Sequence, residues 1–218
     1  MKKIFSLVLS LALLASCTAC GHSPTESGAS VPAASTEESS PNSTEEPSST
    51  PETIESGSKL LVAYFSCTGN TKAVAEKIAE LTGADLYEIV PETPYTAEDL
   101  DYHNDECRAN QEMNDESARP AIGSKAIDLS SYETIFIGFP IWWGTMPKII
   151  NTFLDTYDFS GKTILPFCTS GSSGISESVS AIRAEEPDAA VDDGLRAAGA
   201  EDSGITDWLE NSNVLETQ

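Results

Sequence analysis

The sequence has few basic residues. It contains 12 Lys and Arg against 35 Asp and Glu, which gives a formal net charge of −23. Nucleic-acid backbones bind clusters of basic side chains, so a nucleic-acid partner is not expected. Anionic lipid would also repel such a surface, so attachment to a membrane would have to come from a covalent lipid. An acidic surface suits docking to basic patches on a partner protein, although solubility alone also explains it.

Cysteine is scarce beyond the first twenty residues. Of the five cysteines in the chain, three lie further along, at Cys67, Cys107 and Cys168. An odd number of cysteines in an exported domain does not supply a disulfide framework. No disulfide-based scaffold is therefore expected.

Histidine is rarer still, with two residues in the whole chain. His22 lies in a polar N-terminal segment, so the sequence offers no Ser-His-Asp set and no catalytic side chain is predicted. Asp99, His103 and Glu106 would share one face of a helix. A solvated acidic face explains them better than a metal site, because no second group completes a known ligand spacing. No metal site is predicted.

The N-terminal apolar stretch is too short to cross a bilayer comfortably. It runs from residue 7 to 14 and follows two lysines, which is the arrangement of a secretory signal. The sequence LASC, ending at Cys17, resembles the lipobox of bacterial lipoproteins. We therefore expect a signal peptide over 1–16, lipidation of Cys17, and a location on the extracytoplasmic face of the cell membrane. Cys20 is a weaker alternative acceptor.

The segment from 17 to 58 contains hardly any large apolar residue. It is rich in Ser, Thr, Glu and Pro, and the sequences STEESSP and STEEPSS form an imperfect repeat. Such a composition cannot bury enough apolar surface to offset the entropy of ordering. The segment is predicted to be a disordered tether, and 59–218 to be one folded domain.

Apolar runs alternate with amphipathic segments from residue 59 onward. Strands are expected at 59–65, 85–90, 134–139, 162–168 and, weakly, 189–195, and helices at 70–81, 147–156, 175–186 and 205–210. Such alternation is typical of an open parallel sheet covered on both faces. The acidic interval 91–128 is expected to be a long excursion, and the near-helical spacing between residues 100 and 110 predicts a surface helix in it.

The first loop, 66–71, lies between a buried strand and the start of a helix. Its sequence, SCTGNT, combines hydroxyl side chains with a glycine. Backbone N–H groups at a helix N-terminus can converge on one anion. The Walker A and GxGxxG patterns are both absent, so a terminal phosphate monoester suits the loop better than a triphosphate. Helix capping and turn formation alone would also explain the sequence.

Two further loops follow strands at the same expected edge of the sheet. The tryptophan loop, 140–147, reads PIWWGTMP and offers flat apolar faces on which an aromatic ring could stack. The third loop, 169–174, reads TSGSSG and is small and polar. Ligands of open parallel sheets bind at this edge. Together the loops predict a phosphate site, an aromatic wall and a polar clamp.

These three loops resemble those of the flavodoxin family. SCTGNT matches its phosphate loop, GFPIWWGTMP the loop that covers the flavin ring, and CTSGSSGI the ring-edge loop. The resemblance implies a three-layer α/β sandwich with a five-stranded parallel sheet of order 2-1-3-4-5. It also implies non-covalent binding of FMN.

The resemblance assigns roles by position. The phosphate would be held by Ser66, Thr68, Asn70 and Thr71, with the peptide groups of Cys67 and Gly69. Trp142 or Trp143 would pack on the isoalloxazine, and the peptide segment of Pro140, Ile141 and Gly144 would shape its redox environment. The pyrimidine edge would be contacted by the third loop, through Thr169, Ser170, Gly171 and Gly174. Cys67 is expected to pack rather than to do thiol chemistry.

The expected function is FMN-dependent electron transfer at the outer face of the cell membrane. The partner would be a redox protein or a small-molecule acceptor, and a monomer is expected. One alternative is an FMN-dependent reductase that uses NAD(P)H or reduces quinones. A second is a non-catalytic lipoprotein that binds flavin. No nucleic-acid partner is expected in any of these cases.

Overall fold

The computed structural model describes residues 59–215. The predicted signal peptide, the lipidation site at Cys17 and the tether lie outside the described residues. Within this range no helix is long and apolar enough to cross a membrane.

Strands and helices alternate along the described chain. The strands are β1 Lys59–Tyr64, β2 Asp85–Glu88, β3 Tyr132–Pro140, β4 Thr163–Thr169, β5 Ala190–Val191 and β6 Leu195–Ala197. The helices are α1 Asn70–Thr82, α2 Arg108–Asn114, α3 Lys148–Thr156, α4 Ser176–Glu185 and α5 Gly204–Asn211. The predicted elements are thus present, with bounds that shift by a few residues.

All strand pairs of the sheet are parallel, in the order β2-β1-β3-β4-β5, with β6 also paired to β4. The predicted order 2-1-3-4-5 is therefore confirmed. The last position is filled by two short strands rather than one. Between them Gly194 has φ 77°, and a Cβ there would lie 2.7 Å from the carbonyl oxygen of Pro166. The chain must therefore turn at a glycine, which divides the expected strand 189–195.

The sheet is buried on both faces, which explains its wholly apolar strands. On β3, Ile135 and Ile137 pack in one core with Phe153 of α3 and Ile182 of α4. Phe136, between them in sequence, belongs to the opposite core, with the apolar residues of α1 and α5. Successive side chains of a strand point to opposite faces. The result is the predicted three-layer arrangement.

The excursion between β2 and β3 differs from the expectation. The prediction of a surface helix between residues 100 and 110 is wrong. Residues 97–107 form turns, and α2 begins only after Cys107. The Asp99 carboxylate accepts hydrogen bonds from the amide and hydroxyl of Thr96 at 2.9 and 3.0 Å. Such local side-chain bonds compete with helix formation. The shared helical face that would have aligned Asp99, His103 and Glu106 therefore does not exist.

Candidate functional site

The first loop is closed by its own side chains. The Ser66 hydroxyl accepts a hydrogen bond from the Gly69 amide at 3.1 Å, and the Asn70 side-chain amide donates to the Thr68 hydroxyl at 3.3 Å. Gly69 has φ 86°, a left-handed conformation that glycine adopts without strain. This turn ends at the first residue of α1, where backbone N–H groups lack partners within the helix. The loop therefore presents hydroxyls and a helix N-terminus in one place, as an anion site requires.

Thr71 differs from the other polar residues of the first loop because it is buried, with 1% exposure. Its hydroxyl lies 2.8 Å from the hydroxyl of Thr169, the first residue of the third loop. The amide of Ile141 in turn donates to the Thr169 carbonyl at 3.0 Å. Thr169 therefore connects the roots of all three loops at the carboxyl edge of the sheet.

The tryptophan loop is a tight reverse turn. The backbones of Trp142 and Thr145 exchange hydrogen bonds of 2.9 and 3.0 Å, and the two residues between them have positive φ, 48° at Trp143 and 87° at Gly144. Positive φ at both central residues is the pattern of a type I′ turn. A tryptophan in this conformation is uncommon, and such strain is found often at ligand sites.

The two tryptophans have different environments. The Trp142 ring packs edge-on against Phe65 and Tyr95, with centroid distances of 5.6 and 5.2 Å. Trp143 remains 48% exposed. The sequence left open which tryptophan would stack on a ligand. The geometry favours Trp143, because Trp142 fixes the loop to the core.

The third loop is held by a residue that the sequence did not single out. The Arg196 guanidinium of β6 donates to the carbonyl oxygens of Ser170 and Gly171 at 3.0 and 3.1 Å. Arg196 pairs in register with Cys168, so the last short strand places it beside the loop. Its position in a weakly patterned segment gave no signal for this role.

A cavity of about 420 Å³ opens beside these loops. It is lined by residues of the first loop, the tryptophan loop and the excursion: Cys67, Thr68, Pro140, Ile141, Trp142, Trp143, Leu100, Tyr102 and Ala109. The cavity thus brings together six of the predicted site residues. Ser170, Gly171 and Gly174 do not line it. None of its lining residues carries a formal charge at neutral pH.

Three of the lining residues come from the excursion and were missed. Leu100, Tyr102 and Ala109 belong to a stretch that looks like an acidic surface segment. Tyr102 is 67% exposed, although large aromatic residues are usually more buried. The available signal was the pair of apolar residues in DLDY, set among acidic neighbours.

Arg108 holds two parts of the excursion together and fixes Tyr95, which packs against the core. Its guanidinium donates to the Glu112 carboxylate and to the Thr93 carbonyl, both at 2.7 Å, and lies 4.0 Å from the centre of the Tyr95 ring. The Tyr95 hydroxyl also donates to Glu112. Burial and this carboxylate raise the pKa of Tyr95 above its usual range, so it stays protonated. Since Tyr95 packs on Trp142, the network links the excursion to the tryptophan loop.

Cys67 lines the cavity as a thiol. Removal of water from the sulfur raises the pKa of Cys67 to about 11, and the nearby Arg108 charge opposes this only in part. A thiolate is the reactive form of cysteine. At neutral pH Cys67 is therefore a protonated thiol that lines the cavity, and its side chain is exposed rather than packed in the core.

No group of three His, Cys, Asp or Glu side chains within 59–215 is arranged to hold a metal ion.

Comparison with known proteins places the chain in one family. The family described as Flavodoxin matches residues 59–212. A solved structure of a candidate flavoprotein from Bacteroides uniformis is 45% identical (TM-score 0.68), and one from Bacteroides eggerthii is 44% identical (TM-score 0.66). Each match covers 71% of this chain, with 99% of the first and 98% of the second.

A third structure contains a ligand. It is a flavoprotein from Lactobacillus acidophilus in complex with FMN, 27% identical with a TM-score of 0.57, and the match covers 71% of this chain and 99% of that one. No curated protein matches the chain. The family match and the identity to the two Bacteroides structures both span the described domain, and this chain belongs to the flavodoxin family.

Proposed function

We propose that this protein binds FMN non-covalently and transfers electrons through it. The observation that carries the proposal is the arrangement at one sheet edge of an anion-type loop and an exposed tryptophan, separated by an apolar cavity. A terminal phosphate and a planar aromatic ring are the two recognisable parts of FMN. The FMN complex of the Lactobacillus acidophilus relative supports the same cofactor.

The chemistry of the first loop fits a phosphate monoester. Ser66, Thr68 and Asn70 offer short polar side chains beside the N-terminus of α1, and Thr71 positions the loop through Thr169. The nearest basic side chain in sequence, Lys72, lies 3.6 Å from the Glu88 carboxylate, so part of its charge is neutralised. The phosphate would therefore be held by hydrogen bonds and the helix dipole rather than by a lysine.

The ring would stack on Trp143, which is exposed and held in place by the turn. Trp142 supports the turn from the core side, and Arg196 holds the third loop where the pyrimidine edge is expected. Bound FMN supplies reversible uptake of one or two electrons. This chain binds it, orients it and sets the charge around it.

The charge of the protein bears on the flavin potential. With a net charge of −23, the protein disfavours an additional negative charge on the reduced flavin, which lowers the potential. A donor of low-potential electrons is therefore expected. A midpoint above that of free FMN would contradict this part of the proposal.

We further propose that the domain works on the extracytoplasmic face of the cell membrane, attached by a lipid on Cys17. The support is the sequence alone: the short apolar segment, the LASC motif and the Ser/Thr/Glu/Pro-rich segment that follows. A lipid anchor suits an acidic protein that anionic lipid repels. Metabolic labelling with a fatty-acid analogue should label the full chain and not Cys17→Ser.

The visible spectrum tests the central proposal. The purified protein, with FMN added where needed, is expected to show flavin bands that are shifted from those of free FMN and that bleach with dithionite. Absence of flavin bands after FMN addition and gel filtration would overturn the proposal. Direct oxidation of NADPH by the loaded protein would instead assign it as a reductase.

A further inference from the structure

We propose that Arg196 is a positioning residue whose charge strengthens the binding of reduced FMN relative to oxidised FMN, acting through the backbone of the third loop. The inference rests on the proposed FMN function and adds a selectivity to it. Uptake of two electrons from a redox partner protein and one proton from solvent leaves a negative charge on the pyrimidine part of the ring. Arg196 would stabilise that charge at the edge where the pyrimidine is expected.

The contacts of Arg196 are to backbone and not to a carboxylate. Its Nη2 atom donates to the carbonyl oxygens of Ser170 and Gly171 at 3.0 and 3.1 Å. Arg196 takes no part in the ion pairs found within residues 59–215, which involve the basic side chains of Lys59, Lys72, Lys77, Arg108, Arg119 and Arg183. The positive charge beside the third loop is therefore not neutralised by a paired carboxylate.

Asp202 is close enough to Arg196 to respond to its charge but does not pair with it. The Asp202 carboxylate accepts hydrogen bonds from the amides of Ala198 and Gly204 at 2.8 and 2.9 Å. These backbone hydrogen bonds, and to a smaller extent the Arg196 charge, lower the pKa of Asp202. Asp202 is thus held by the backbone, and the guanidinium stays with the loop.

The peptide groups of the third loop can transmit the charge. The C=O and N–H bonds of a trans peptide point in opposite directions. Because the Ser170 carbonyl is bonded to Arg196, the Gly171 amide of the same peptide points away from Arg196. The next amide, that of Ser172, is already used, since it donates to the Ser170 hydroxyl at 3.2 Å. A guanidinium bonded to the carbonyl polarises the peptide, so the Gly171 amide becomes a stronger donor toward negative charge.

The third loop is fixed at both of its contacts. Thr169 lies at its root and is bonded to Thr71 and to the Ile141 amide, and Arg196 holds the two residues that follow. The backbone at the expected pyrimidine contact is therefore set independently of a ligand. Donors that are oriented in advance stabilise developing charge without a cost of rearrangement. Such a loop can favour the reduced ring over the uncharged oxidised ring.

The local charge opposes the effect of the whole protein. The net charge of −23 disfavours negative charge on the flavin and lowers its potential. Arg196 contributes one positive charge at a defined position, so it should limit this lowering. We therefore expect a midpoint below that of free FMN in the unmodified protein, and a still lower one when the Arg196 charge is removed.

The test compares three variants of the full chain. Arg196→Gln keeps an amide donor but removes the charge, whereas Arg196→Lys keeps the charge and loses the planar fork. Arg183→Gln is the matched control, because Arg183 also donates to a backbone carbonyl, that of Val191, and its loss changes the net charge by the same amount. Fluorescence titration gives the affinity for oxidised FMN. Anaerobic dithionite titration with a reference dye gives the two-electron midpoint, and the two together give the affinity for reduced FMN.

Arg196→Gln should weaken the binding of reduced FMN about tenfold more than that of oxidised FMN. This ratio corresponds to a two-electron midpoint lower by about 30 mV. Arg196→Lys should keep the ratio of the two affinities within about threefold of the unmodified protein, and Arg183→Gln should keep it within about twofold. Thermal unfolding of the FMN-free variants checks that each is folded, which is expected because Arg196 is exposed.

Three results would overturn the inference and leave the proposed function intact. If Arg196→Gln changes the two affinities equally or not at all, Arg196 does not select the reduced form. If Arg183→Gln lowers the midpoint as much as Arg196→Gln, net charge and not position is responsible. If Arg196→Lys loses the ratio as fully as Arg196→Gln, the charge is not what acts. Failure of the unmodified protein to bind FMN would instead remove the proposed function itself.

Discussion

Replacing Arg108 with methionine is expected to destabilise the domain far more than a typical surface substitution. Methionine keeps an apolar stem of similar length but removes the guanidinium. Glu112 would lose its ion pair, the Thr93 carbonyl its donor, and Tyr95 the cation over its ring. The side chains of Arg108 and Glu112 are only 24% and 14% exposed, so water would replace these contacts incompletely.

The size of the effect follows from this burial. Removal of one partner from a fully buried ion pair costs about 3–5 kcal/mol, whereas an exposed pair contributes about 0–1 kcal/mol. The Arg108–Glu112 pair lies between these limits, at about 2 kcal/mol, and loss of the cation–π contact adds about 1 kcal/mol. The free energy of unfolding should therefore fall by about 3 kcal/mol. For a domain of this size the melting temperature would fall by roughly 6–12 °C.

Urea unfolding followed by far-ultraviolet circular dichroism measures this change. Lys77→Met is the control, because Lys77 and Glu80 form an ion pair on successive turns of α1. Their side chains are 36% and 70% exposed. The control substitution should cost less than about 0.5 kcal/mol. A loss for Arg108→Met no larger than that of the control would refute the role of Arg108 in holding the excursion together. A change in the slope of the transition would indicate a change in the unfolded state instead.

Three further predictions follow from the site. Trp143→Ala should weaken FMN binding by about tenfold with little change in stability, because the Trp143 ring is exposed. Trp142→Ala should instead lower the free energy of unfolding by about 3 kcal/mol, because the Trp142 ring packs on Phe65 and Tyr95. Fluorescence titration and urea unfolding separate the two effects, and equal FMN losses would contradict the division of roles. Cys67 should react with iodoacetamide at pH 8 about 100-fold more slowly than free cysteine, because its pKa is raised to about 11. A rate near that of free cysteine would contradict the raised pKa. Burial and the neighbouring Glu185 raise the pKa of Glu186 to about 7, so stability should fall as the pH rises from about 4.5 to 7, and Glu186→Gln should flatten this slope in pH-dependent thermal unfolding.

The strands and the positions of the three loops could be predicted because their signals are local, whereas the order of the strands came from the resemblance to the flavodoxin family. The wholly apolar runs of β1, β3 and β4 are what a strand buried on both faces requires. The glycine of SCTGNT and the turn residues of PIWWG encode backbone conformations that the structure contains, with φ 86° at Gly69 and 87° at Gly144. Such residues report on their own backbone, so one sequence suffices to locate them.

What the sequence did not predict depends on particular side-chain contacts, one of them local and the others between segments further apart in the chain. The excursion lacks helical structure before Cys107 because Asp99 bonds to the Thr96 backbone, a choice that spacing alone does not reveal. Arg108 finds Thr93 and Tyr95 fifteen and thirteen positions earlier in the chain. Arg196 reaches the third loop only because β6 pairs with β4. None of these contacts leaves a periodic pattern in the sequence, so the spacing of residue types could not reveal them.

The same contacts give the excursion a separable role. The first and tryptophan loops lie at the ends of β1 and β3, and changes there would alter the cofactor site directly. Leu100 and Tyr102 lie in turns that local hydrogen bonds and the Arg108 network hold against the tryptophan loop. Their side chains could be exchanged without a change in any strand, helix or predicted phosphate contact.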